Sequence, residues 1–147
     1  MNRIMLWAIC ILILGTQIAG CSSFNTIVKG NELSYVKKKL ELGMNKAEVK
    51  KLFGRSYTSV QHAVDGNEVW RFDWVTEEGY VVIPEAGIEA VAHYDRSGYL
   101  TGKLSAQLFV GWTQDNVVKD VKVYYIADGK IHEYHILEDG QTGEVSL

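Results

Sequence analysis

The groups in this chain best equipped for chemistry are two thiols, Cys10 and Cys21, and four imidazoles, His62, His93, His132 and His135. A hydroxyl or thiol nucleophile needs a base within hydrogen-bond reach and a third group to orient that base. The chain has no Gly-x-Ser-x-Gly elbow, the sharp turn that presents a serine to such a base. His132 and His135 stand three residues apart, a spacing that gathers a metal on a helix. Their surroundings read as a strand, where side chains alternate and the two rings point to opposite faces. The segment from Gly98 to Lys103 superficially follows a phosphate loop. It is one residue short, and Leu104 stands where Ser or Thr would follow the lysine. Glu77-Glu78 and Glu138-Asp139 are carboxylate pairs in turn-like surroundings, where solvation accounts for them. These residues predict neither a catalytic group, nor a metal, nor a cofactor.

The chain has 147 residues, the size of one ordinary domain. Apolar residues make up 47% and charged residues 22%, which excludes general disorder. A net charge of −3 argues against nucleic-acid binding through phosphate neutralisation. Two cysteines are too few for a disulfide scaffold or a multi-cysteine zinc site.

After Arg3, residues 4–14 (IMLWAICILIL) form an unbroken apolar run. A helix of that length rises about 16 Å, against a hydrocarbon core of roughly 30 Å. The pattern is therefore that of a secretory signal. It ends in Ile18-Ala19-Gly20-Cys21, which resembles the lipobox of bacterial lipoproteins. The resemblance implies cleavage after Gly20 and a diacylglycerol thioether on Cys21, whose sulfur is then no longer a nucleophile. Ser22, rather than Asp, resembles the sorting pattern for the outer membrane. Two or three acyl chains, such as palmitate, hold a protein durably where one does not. The competing reading is an uncleaved anchor with a buried Cys21. Residues 1–20 are thus expected to be the signal peptide. Residues 21–30 form a lipidated tether with a reach of at most about 35 Å.

Residues 31–42 carry Leu33, Val36 and Leu40 at helical spacing, with Asn31 to start the helix and Gly43 to stop it. Asn45-Lys46-Ala47-Glu48 reads as a capping box, Met44 and Val49 as a hydrophobic staple, and Gly54 as the terminator. From Tyr57 the period becomes two. Strands are predicted at 58–64, 69–75, 88–94, 99–108, 117–126 and 130–137, with turns at Asp65-Gly66, 95–98 and Asp128-Gly129. Trp70, Phe72 and Trp74 share one strand face. The expected class is α+β: two short N-terminal helices packed on an antiparallel sheet of five or six strands, spanning 31–137. Residues 138–147 are expected to fray.

Residues 36–103 resemble the SmpA/OmlA family of BamE-like lipoproteins. The carrying segments are Leu42-Gly43-Met44-Asn45 with Val49, then Leu52-Phe53-Gly54, Trp70-Arg71-Phe72, and the stretch from Ala92 to Leu100. The family's proline after its Leu-Gly pair is absent, Arg55-Ser56-Tyr57 standing there instead. The chain also continues about 40 residues past the family core as an extra C-terminal hairpin. The resemblance implies two helices on a three-stranded sheet and attachment to the periplasmic face of the outer membrane. It also implies a non-enzymatic, accessory or scaffold role in β-barrel assembly or envelope integrity. The alternative is a free-standing envelope lipoprotein that binds another protein, as a stress-induced lipoprotein or a β-lactamase-inhibitor-like module does. Candidate partner or headgroup contacts are Lys37, Lys38, Lys50 and Lys51 on the helices and Trp70 and Trp74 on the strand. A solvated helix face and a buried core stripe are the plainer accounts of the same residues.

Overall fold

The computed structural model describes residues 30–82 and 92–147. The signal and the tether up to residue 29, Cys21 included, lie outside the described residues, as do Pro84 and the first part of the strand predicted at 88–94.

Helix α1 (Glu32–Lys39) is shorter than predicted. The Asn31 side chain makes no capping bond; the Glu32 carboxylate instead accepts the Gly30 N–H at 2.8 Å. Leu40 is extended, and the Gly43 N–H goes to Val118 O at 2.9 Å. Helix α2 (Lys46–Phe53) follows the local signals closely. The Asn45 side chain accepts the Ala47 and Glu48 N–H groups, and Glu48 accepts the Asn45 N–H at 2.8 Å. Gly54 closes the helix at φ +81, a conformation that other side chains resist.

Six strands follow: β1 (Thr58–Gln61), β2 (Glu68–Val75), β3 (Leu104–Trp112), β4 (Val118–Ala127), β5 (Lys130–Ile136) and β6 (Thr142–Ser146). They form one antiparallel sheet in chain order. Between β2 and β3 a long link carries α3 (Arg96–Leu100). Asp128 and Gly129 both have positive φ, which makes the β4–β5 connection a two-residue turn matched to strand twist. The β1–β2 connection is wider than the predicted two-residue turn. It runs from His62 to Asn67, closed by His62 N–H to Asn67 O at 2.8 Å.

The α+β class expected from the sequence is corrected by this architecture. Among the described residues 41% are in strands and 19% in helices, and the two eight-residue helices precede a continuous six-stranded sheet. The helical signals carried more weight than the length of the two helices deserved. No described residue of the segment predicted at 88–94 is in a strand; Asp95 caps α3 through the Gly98 N–H instead of opening a hairpin turn. The tail expected to fray pairs with β5 as β6, from Ile136–Thr142 to His132–Ser146.

The sheet buries both faces. On one, Val36, Leu40, Val49 and Phe53 from the helices pack against Trp70, Phe72, Leu108, Val110 and Val123. On the other, Val60, Val69, Phe109 and Tyr124 pack under the link, which contributes Tyr80, Tyr94 and Tyr99. Every residue of β3 except Ser105 is buried, as befits a central strand covered on two sides.

Candidate functional site

The six contact residues singled out in the sequence do not gather into one site. Trp70 is 2% exposed; it stacks on Tyr57 at 3.9 Å and meets Trp112 edge-on. Trp74 is half-buried against Phe53. Lys50 lies 5.1 Å over the Trp70 ring, and Lys46, which pairs with Glu68 at 2.5 Å, covers the same ring from 5.5 Å. Lys37 reaches Glu144 at 3.1 Å and sits over Tyr134. Lys38 and Lys51 are exposed on the outer helix surface. The aromatic stripe is core, and three helix lysines cover aromatic rings with their cations.

Two concave regions open at opposite ends of the sheet. The first, of about 710 Å³, lies where β3 and β5 begin and β4 ends. Tyr99, Leu104 and Ile131 line it, and Gly30 stands beside it. Its buried Glu32 accepts from Ser105 Oγ at 2.8 Å. The second, of about 640 Å³, sets the charged and polar side chains of His62, Lys119, Asp120 and Glu138 around Ile136 and Leu137. There Lys119 bridges Asp65 at 3.1 Å and Glu138 at 3.8 Å. The Asn67 N–H and Lys119 hold the Asp65 carboxyl well below the usual carboxylate range.

Asp120 behaves differently. It faces Gly111 across the β3–β4 ladder, where a Cβ on the glycine would come within 2.6 Å of its carboxylate. Burial raises the Asp120 carboxyl above its ordinary value near 3.8. A folded-state value above the unfolded one gives stability that is full below pH 3.8 and is lost as pH rises through the folded value. Asp120→Asn is therefore expected to raise the thermal midpoint at pH 7. The gap to the parent should close at pH 3, as differential scanning calorimetry at the two pH values would show.

Sequence reasoning missed a polar network beneath the link. Arg71 Nε donates to Asp73 at 3.0 Å, and Gln107 Nε2 donates to Asp73 Oδ1 at 2.6 Å. Gln107 Oε1 accepts the Asp95 N–H at 2.7 Å. Asp95 in turn accepts the Gly98 N–H at 2.8 Å and the Tyr80 hydroxyl at 2.5 Å. Burial, then the Asp95 carboxylate, pushes the Tyr80 hydroxyl up to about 12. The available signal was Gln107 itself, a polar residue within the apolar run of β3 (LSAQLFVGW). The network ties the link to β2 and β3; its groups are occupied with one another rather than poised for a substrate.

His132 and His135 do lie on opposite faces: His132 stacks on Tyr125, and His135 contacts Glu133 at 3.2 Å. Among the described residues, no three His, Cys, Asp or Glu side chains form a group that could hold a metal. No described helix is long and apolar enough to cross a membrane. No family model, no curated protein and no solved structure matches the chain.

Proposed function

We propose that this protein is a cell-envelope lipoprotein, held by acyl chains on Cys21, that acts by contact with another envelope protein rather than by catalysis. The observation that carries this is Ile18-Ala19-Gly20-Cys21 shortly after an 11-residue apolar run, nine residues before Gly30. Ser22 after the cysteine favours the periplasmic face of the outer membrane. The role in view is accessory or scaffolding, in outer-membrane protein assembly or envelope integrity.

Cys21→Ala is expected to leave an unprocessed, unlipidated precursor and to deplete the protein from the outer-membrane fraction. Mass spectrometry of the amino terminus and membrane fractionation check this. Unchanged processing and fractionation would remove the proposal. Crosslinking in the native host then asks whether the β-barrel assembly machinery is recovered with the anchored protein.

A second reading, capture of a different protein by a free-standing lipoprotein, is favoured by β6. Among the described strands it pairs only with β5. The Leu137 and Leu147 backbone bonds set the ladder's phase, so Thr142, Glu144 and Ser146 turn their backbone groups to the open edge. An open edge can accept an added strand. Recovery of one abundant non-barrel partner, with normal barrel-protein levels in a deletion strain, would select this reading.

A further inference from the structure

Exposed apolar side chains collect at one end of the sheet. Leu100, Ile126 and Leu147 are 70%, 43% and 55% exposed, and all three line the cleft beside Gly30. Val75, also exposed, pairs with Leu104 at that end. Arg96 and Lys130 are exposed on the same rim. Of the carboxylates there, Glu32 is buried against Ser105 and the Gly30 N–H, and Glu77 faces Lys103 at 3.7 Å; Glu78 beside it and Asp128 at the tip of the β4–β5 turn are exposed. Apolar side chains flanked by cations suit the interface of a bilayer bearing anionic headgroups.

We propose, on the lipid-anchor reading above, that this end of the sheet is a second membrane contact. Leu100, Ile126 and Leu147 rest at the bilayer surface, with Arg96 and Lys130 meeting anionic headgroups. The tether geometry favours this end. Gly30, where the tether joins the domain, lies at the cleft, and ten extended residues reach at most about 35 Å. The ten residues of β4 alone extend about 33 Å. Bringing the opposite end, with Val64 and Leu137, to the bilayer would stretch the whole tether along the domain.

The test uses mature lipidated protein reconstituted into vesicles of phosphatidylcholine with one-third phosphatidylserine. Nitroxide labels are placed on Leu100→Cys, Ile126→Cys, Val64→Cys and Leu137→Cys, each the one free thiol once Cys21 is acylated. Labels at 100 and 126 should collide several-fold more with oxygen, relative to a water-soluble nickel chelate, than labels at 64 and 137. That preference should shrink when Arg96→Glu and Lys130→Glu are combined, and in vesicles of phosphatidylcholine alone. Equal collision ratios at all four positions would overturn the contact, and a preference insensitive to both charge changes would overturn the part assigned to the cations. Failure of the anchor itself would show earlier and separately, as protein that does not float with the vesicles.

Discussion

Phe53→Ala should lower the unfolding free energy by about 3–5 kcal/mol, the usual cost of deleting a buried phenyl ring. Phe53 is 1% exposed and closes α2. Its ring meets Tyr35 at 5.7 Å, Phe72 at 5.5 Å and Trp74 at 6.3 Å. It thereby joins both N-terminal helices to β2. The cavity left by its removal cannot readily collapse, because Phe72 and Trp74 are fixed by the β2–β3 ladder. Equilibrium urea denaturation of the parent and the variant provides the measurement. Leu100→Ala, at an exposed position on α3, should change the midpoint little. A Phe53→Ala loss below about 1 kcal/mol would mean that the helices contribute little to holding the sheet.

Gln107→Leu should cost about 3 kcal/mol despite its similar volume and greater hydrophobicity. Most of the loss comes from one buried group stranded without a partner, the Asp95 N–H, at about 1–3 kcal/mol; Asp73 keeps its bond from Arg71 Nε and is only weakened. Asp73 loses the Gln107 amide donor, and the Asp95 N–H loses its acceptor. Tyr80→Phe removes a single bond to Asp95 and should cost about 1 kcal/mol. The comparison reads whether the network acts as a unit. Hydrogen exchange supplies a local measurement: the Gly98 amide, bonded to Asp95, should exchange faster in Gln107→Leu under conditions where β3 amides remain protected. A variant as stable as the parent, with Gly98 equally protected, would remove the network from any role in holding the link.

What the sequence disclosed and what it hid divide along the range of the forces involved. The capping box of Asn45 and Glu48 is complete within four residues, so α2 was legible. The Asp128-Gly129 turn is equally local, and the β4–β5 hairpin followed from it within a residue at each end. Trp70, Phe72 and Trp74 showed their shared face by period alone. β6 was not legible because TGEVS has one large apolar residue. Its order comes from pairing with β5 and from Glu144, which bonds Lys37 and the Tyr125 hydroxyl. The α+β assignment failed differently: two eight-residue helices with clear local signals were weighed equally with a sheet that runs through six strands. Arg71 and Asp73 lay on the face opposite the tryptophans, where alternation predicts solvent. The long β2–β3 link covers that face and buries them. A cover that distant in sequence leaves no local mark. The six candidate contact residues were chosen by type, and type could not distinguish a lysine lying over a ring from one free to meet a membrane.

Lys37 and Glu144 are 107 residues apart, yet they fasten the first helix to the last strand. Both side chains are about half exposed, and a pair so placed contributes at most about 1 kcal/mol. The domain is thus clasped late and lightly. A chain folding from its amino terminus can assemble its helices and inner strands first, but its outer margin closes only once β6 has joined. Until then β5 is itself the open margin, and a passing strand from another chain would compete for the same place.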